Sequence, residues 1–157
     1  MLSHTCCFTG RRHFSRDQLL QVSNRLETEM QALCAEGFHT FITGGALGFD
    51  MLAGMAILRQ KQAGAPFRFI LALPYPGHEK AWPQKDQKDL AVLQAHADEL
   101  LYISDHYFAG CMRLRNQYMV DHSGLCVCAL SRYKSGTGQT VRYARQKNLR
   151  IVYLLEE

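Results

Sequence analysis

The sequence predicts a three-layer α/β/α domain on a mostly parallel sheet of about six strands. Three observations predict it. Apolar runs bounded by turn residues alternate with helical patterns along the chain, as they do when helices cover both faces of a parallel sheet. Two glycine-rich turns, Thr43-Gly44-Gly45-Ala46-Leu47-Gly48-Phe49-Asp50 and Ser135-Gly136-Thr137-Gly138-Gln139-Thr140, each fall between an apolar run and a helical pattern. No repeat, low-complexity stretch or linker interrupts the alternation.

Strands are expected at residues 5–9, 39–43, 67–73, 100–104, 125–130 and 151–155, several of them continuously apolar as strands covered on both sides are. The first helix, 16–36, carries Leu19, Leu20, Val22, Leu26, Met30 and Leu33 at helical spacing, with Ser15 as N-cap and Gly37 at its end. Helices at 47–62, 84–97, 110–122 and 139–147 follow, the last closed by Asn148. The longest irregular stretch, 74–83, holds three of the four prolines, and loops of that length in compact domains are often functional.

At 157 residues and 47% hydrophobic content the chain is expected to form one domain, residues 1–157, around a continuous core. Its formal charge of +4 and pI of about 8.8 suit an anionic ligand but fall short of the basic stripe of a dedicated nucleic-acid binder. No apolar run reaches the ~18 residues of a membrane span. With no leader pattern at the N-terminus, a cytoplasmic location without a membrane partner is expected. Cys6, Cys7, Cys34, Cys111, Cys126 and Cys128 match neither a CxxC pair nor a zinc spacing, so free thiols and no metal are expected.

Each strand end that passes into a glycine turn offers backbone N–H groups and a helix dipole to an anion. Gly10 beside Arg11, where the first strand ends, suits a phosphate, because guanidinium donors match its oxygens. In the second turn Gly44 and Gly45 let the backbone approach a ligand and Gly48 lets the helix pack on the sheet. Asp50 either satisfies the first amides of that helix or bonds a ribose hydroxyl. The turn at 134–140 supplies Gly136, Gly138 and the hydroxyls of Thr137 and Thr140. It lacks the lysine of a P-loop and the third glycine of the dinucleotide fingerprint, but keeps the features of an anion site. Met112, Arg115 and Met119 share a helix face, so Arg115 is expected to turn inward, where Asp50 or a bound phosphate must offset its charge. Tyr75 and Glu79 lie in the 74–83 loop, read either as a lid or as a stiff crossover with Trp82 plugging the core. Tyr107 is placed to stack on a ring.

Taken in order, Phe8-Thr9-Gly10-Arg11, the Thr43–Asp50 turn, Pro74-Tyr75-Pro76-Gly77, Gly110-Cys111-Met112 with Arg115-Asn116 and Met119-Val120-Asp121, and Gly136-Thr137-Gly138 with Thr140 resemble the YpsA-like branch of the SLOG superfamily. This Rossmann-type group also holds the DNA-processing protein DprA (Smf) and the Lonely-guy phosphoribohydrolases, and the resemblance implies a Rossmann-like domain. Likeness to DprA rests on Gly44-Gly45-Ala46-x-Gly48-x-Asp50 and Lys134-Ser135-Gly136 with Thr140, and implies a phosphate pocket for single-stranded DNA. Likeness to Lonely-guy enzymes rests on Met112-x-x-Arg115-Asn116-x-x-Met119. In those enzymes this arginine and a glutamate just after the glycine turn are catalytic; the glutamate falls in Gln139-Thr140-Val141-Arg142, which has no carboxylate, so their N-glycosidic hydrolysis lacks its acid/base group here and no catalytic role is expected.

The expected function is therefore non-catalytic binding or sensing of a nucleotide or nucleotide-derived phosphorylated ligand. Its expected contacts are Gly10, Arg11, Gly44, Gly45, Asp50, Arg115, Asn116, Gly136, Thr137, Gly138 and Thr140, with Tyr75, Glu79 and Tyr107 for base stacking or as a lid. The alternatives are a nucleotide or ADP-ribosyl N-glycoside hydrolase with Glu79, Asp50 or Asp105 as base, and DprA-like binding of single-stranded DNA. A bound nucleotide or phosphate is the one cofactor implied, and a homodimer is expected by analogy with the superfamily.

Overall fold

The computed structural model describes residues 2–130 and 138–155. A short 3₁₀ turn, Leu2–His4, leads into β1 (Thr5–Gly10), α1 (Arg16–Ala35), β2 (Thr40–Thr43), α2 (Phe49–Gln62), β3 (Arg68–Leu73), α3 (Gln84–His96), β4 (Glu99–Tyr102), α4 (Cys111–Asp121), β5 (Leu125–Ala129), α5 (Gln139–Gln146) and β6 (Arg150–Tyr153). The strands form one parallel sheet in the order β4-β3-β2-β1-β5-β6, giving a three-layer Rossmann-like fold.

Given this order, the right-handedness of the crossovers assigns each helix to a face of the sheet. From β1 to β4 the chain steps one way across the sheet, and right-handed connections put α1, α2 and α3 on one face. α4 then carries it back over the opposite face to β5, which pairs with β1, and α5 leads on to β6. The order thus reverses between β1 and β5, and at such a switch point the loops diverge and open a crevice at the carboxyl edge.

Strand side chains alternate between two cores. Cys6 and Phe8 of β1, Phe41 of β2, Phe69 and Leu71 of β3 and Val127 of β5 join Leu26, Met30, Leu33, Ile57, Leu90 and Leu93 under the three-helix layer. Cys7, Ile42, Ala72 and Cys126 face the other way, where Met119, Val120 and Ala144 of α4 and α5 meet them. All six cysteines are free, and burial drives the Cys6 thiol well above its ordinary range.

The capping box expected at Ser15 is present: Gln18 N–H bonds the Ser15 hydroxyl at 3.2 Å and Gln18 Oε1 accepts from Ser15 N–H at 3.0 Å. Asn148 ends the last helix with φ of 63°, the left-handed conformation that asparagine tolerates. Three expectations need correction. Leu19 and Leu20 are exposed, because only Val22 onward in α1 lies over the sheet. Met112 is 40% exposed, because the inward stripe of α4 runs through Cys111, Arg115 and Met119 at a spacing of four. β4 starts one residue earlier than expected and ends two earlier. It is an edge strand, and Leu100 and Tyr102 stay largely uncovered.

Candidate functional site

The ends of β1, β2 and β3 bring three loops to one edge. Phe49 N–H bonds the Arg11 carbonyl at 3.2 Å, joining the first turn to the start of α2. A Cβ on Gly10 would lie 2.6 Å from the Phe49 side chain, so the glycine there serves this packing. Arg11 turns toward the start of α1, with its guanidinium 5.9 Å from the Phe14 ring centroid and 3.5 Å from Gln18 Oε1.

The second glycine turn runs between two buried opposite charges, which attract each other across Gly44. Asp50 and Arg115 are 6% and 4% exposed. Asp50 Oδ2 accepts from Ala46 N–H at 3.1 Å. Arg115 donates from Nη1 to the Gly44 carbonyl and from Nε to Asn116 Oδ1 at 2.8 Å. A Cβ on Gly44 would sit 2.8 Å from Asp50 Oδ2 and 2.9 Å from Arg115 Nε, so only glycine lets the backbone pass between them. Burial pushes the Asp50 carboxyl up and the Arg115 guanidinium down, and their mutual attraction opposes both shifts. With the Ala46 amide held by Asp50 and the Gly44 carbonyl by Arg115, the two charged side chains fix the shape of the turn.

Gly45, with φ of 64°, is held from the other side. His78 Nε2 lies 3.0 Å from the Gly45 carbonyl, and its side chain is 3% exposed. Its Nδ1 faces Glu79 Oε1 at 3.7 Å, and neither atom has a hydrogen-bond partner. Burial holds the imidazole below its ordinary pKa of 6.5, and the Arg115 charge adds to the effect. Rings continue outward along this loop: Trp82 lies 5.2 Å from His78, and Tyr75 lies 6.2 Å from His78 and 5.7 Å from Tyr107, all edge to face. Trp82 also packs, partly buried, on the larger core. Tyr107 is 64% exposed.

On the other face, α4 and α5 enclose a cavity of about 270 Å³. Arg113, Asn116, Gln117, Gln139, Thr140 and Arg142 line it, and its described walls carry no carboxylate. Gly138 is the N-cap of α5 and, as a glycine, contributes no side-chain bond to the first amides of that helix. Thr140 is buried at this wall. Asn116 links the cavity to the buried Arg115 through the hydrogen bond it accepts.

The expected residues thus fall into two groups. Gly10, Gly44, Gly45, Asp50 and Arg115 form the packed base of the carboxyl edge. Asn116, Gly138 and Thr140 belong to the α4–α5 cavity or the helix start beside it. Gly136 and Thr137 lie outside the described residues. Sequence reasoning missed His78, because its bond to Gly45 joins positions 33 residues apart and leaves no local pattern. It also missed Arg113 and Arg142, whose pairing across the cavity depends on how α4 and α5 pack. Among the described residues no cluster suited to a metal occurs, and no helix is long and apolar enough to cross a membrane.

The fold is similar to that of DNA processing protein A from Helicobacter pylori, solved for its single-stranded DNA binding mode, with a TM-score of 0.68 at 18% identity. That match covers 98% of this chain and 66% of the other, so the chain spans just under two thirds of that protein's length. In sequence the chain is 29% identical over 146 residues to the uncharacterised SPbeta prophage-derived protein YoqJ of Bacillus subtilis (strain 168), covering 85% of this chain and 82% of YoqJ. The model of the YspA SLOG family matches residues 10–154, and the chain belongs to that family.

Proposed function

We propose that the chain binds a nucleotide or nucleotide-derived phosphorylated ligand, with the phosphate at the start of α5. The observation that carries this reading is the α4–α5 cavity. Arg113 and Arg142 flank it, the amide side chains of Asn116, Gln117 and Gln139 can donate into it, and no described carboxylate opposes an anion. Its volume, about 270 Å³, lies near the lower end of small-molecule sites, so it suits a phosphate with part of a sugar. Asn116 and Thr140, two of the expected contacts, line it, and Gly138 starts the helix beside it. Arg115 and Asp50 hold the neighbouring turn in shape.

Of the carboxylates considered for hydrolysis, Glu79 faces His78 at 3.7 Å, Asp50 is buried and bonded by the Ala46 amide, and Asp105 is 91% exposed beside His106; none of the three lines the α4–α5 cavity. A binding role therefore accounts for more of the site than a catalytic one. Thermal shift against AMP, ADP-ribose, cyclic nucleotides and NAD tests it. A ligand at 100 times its Kd adds about 2.7 kcal/mol, or about 5–10 °C in Tm for a chain of this size. Arg142→Ala and Arg113→Ala should each reduce the shift, and silence across the panel would overturn the reading.

The likeness to DNA processing protein A supports a second reading, single-stranded DNA binding along the same edge. It requires affinity for an oligonucleotide that falls steeply with salt as phosphate contacts release counterions. Flat salt dependence or no retardation would remove it.

A further inference from the structure

We infer that residues 74–83 form a lid over the Gly44–Gly45 turn and that His78 is its acid-released latch. The segment leaves β3 at the carboxyl edge, where Ser104 N–H donates to the Pro74 carbonyl at 3.0 Å, and is tied at two further places. At its α3 end, Gln87 Nε2 donates to the carbonyls of Lys80 and Trp82 at 3.2 and 2.9 Å. Nearer its middle, His78 bonds the Gly45 carbonyl at 3.0 Å. The first tie joins the lid to the helix that follows it, whereas the second reaches across to the neighbouring strand's loop and holds the lid down.

The tautomer follows from the partners. A carbonyl only accepts, so the hydrogen is on Nε2, and neutral His78 presents a bare lone pair at Nδ1. That lone pair faces Glu79 Oε1 at 3.7 Å, a second acceptor, and both atoms are enclosed without partners. The closed lid thus contains one proton vacancy. Filling it attracts Glu79, but it also puts a cation into a nearly water-free position, within reach of the Arg115 charge behind the same turn. Glu79 from its own loop and Arg115 from α4 are the charged groups that act on the ring, alongside the uncharged Tyr75 and Trp82. Outside the closed lid, water solvates the imidazolium fully. A proton favours whichever state binds it more tightly, so acid shifts the lid toward the open state. Opening frees the Gly45 carbonyl and uncovers the turn held by Asp50 and Arg115. The latch operates whether or not the α4–α5 cavity takes a nucleotide.

The chain's single tryptophan, Trp82, sits edge to face on the latch and reports its state. Emission of the full-length protein is followed from pH 8 to pH 5, together with hydrogen exchange of amides 77–82 corrected for intrinsic rates. The wild type should give a red shift with one midpoint below 6.5 and faster exchange in acid. His78→Gln, which keeps an N–H donor for Gly45 but does not titrate, should show neither change. Glu79→Gln should move the midpoint to lower pH by about 0.5 unit or more, because the imidazolium loses its carboxylate. Nitrogen chemical shifts of the wild-type ring provide an arm that needs no variant, with the Nε2–H form expected above the midpoint. A His78→Gln protein that titrates like wild type, a ring in the Nδ1–H form, or lid exchange unchanged or slowed by acid would each overturn the latch.

Discussion

Arg115 is the residue whose environment most constrains the rest of the edge. A guanidinium 4% exposed is tolerated because Asp50, the Gly44 carbonyl and Asn116 share its charge and hydrogens. Removing one member of such a pair strands the other in a low-dielectric site. Arg115→Ala is therefore expected to lose about 3–5 kcal/mol of stability by urea unfolding. Arg115→Leu combined with Asp50→Leu should lose clearly less than the sum of the single changes, because no uncompensated charge remains. Gly45→Ala should also destabilise, by about 2 kcal/mol or more, since the added methyl meets the Leu73 side chain while the residue is held at φ of 64°. The inward turn of Arg115 was legible from its spacing along α4, as was the need for a partner. The identity of that partner was legible only as a choice, because pairing α4 with the start of α2 is a tertiary fact.

Elements with both a local signal and a face to bury were read most closely from the sequence. α1 has a capping box at one end and an apolar stripe from Val22 to Leu33, and both are present. Ser15→Ala should therefore cost about 1 kcal/mol in the same urea titration, since it exposes an amide the hydroxyl now satisfies. Central strands were equally clear: Leu125 to Ala129 is buried at every position, which a continuous apolar run between two helical layers requires. Elements at the margin were less legible. β4 is flanked on one side only, so its apolar residues do not mark its limits, and the first turn of α4 carries Met112 outside the core. The loops were least legible of all. The Pro74–Pro83 stretch is stiffened by its prolines, yet its attachment through His78 and Gly45 depends on two strands lying side by side.

At the scale of the whole molecule, the response to acid sums groups of opposite sign. His78 has a folded pKa below its ordinary 6.5, so the unfolded chain binds this proton first and stability falls as pH drops below 6.5 toward the folded value. Asp98 contributes lower on the scale. The Lys61 ammonium and the Phe69 amide bond its carboxylate and hold it below 3.8, so its stabilisation is intact above 3.8 and is lost as pH falls through the folded value. Asp50 acts in the reverse sense, because burial raises its carboxyl above 3.8 and protonation there favours the folded state. Tm measured from pH 7.5 to pH 3 should therefore fall in two stages, one beginning near neutrality and one below 4. His78→Gln should flatten the first stage and leave the second, whereas Lys61→Met should reduce the second and leave the first. The two sites lie on different parts of the fold, at the carboxyl edge and at the opposite, amino end of β3 and β4, so their effects should add within about 0.5 kcal/mol in the double variant. A single-stage profile in wild type, or a first stage that survives in His78→Gln, would mean that the near-neutral loss of stability comes from a group other than the lid histidine.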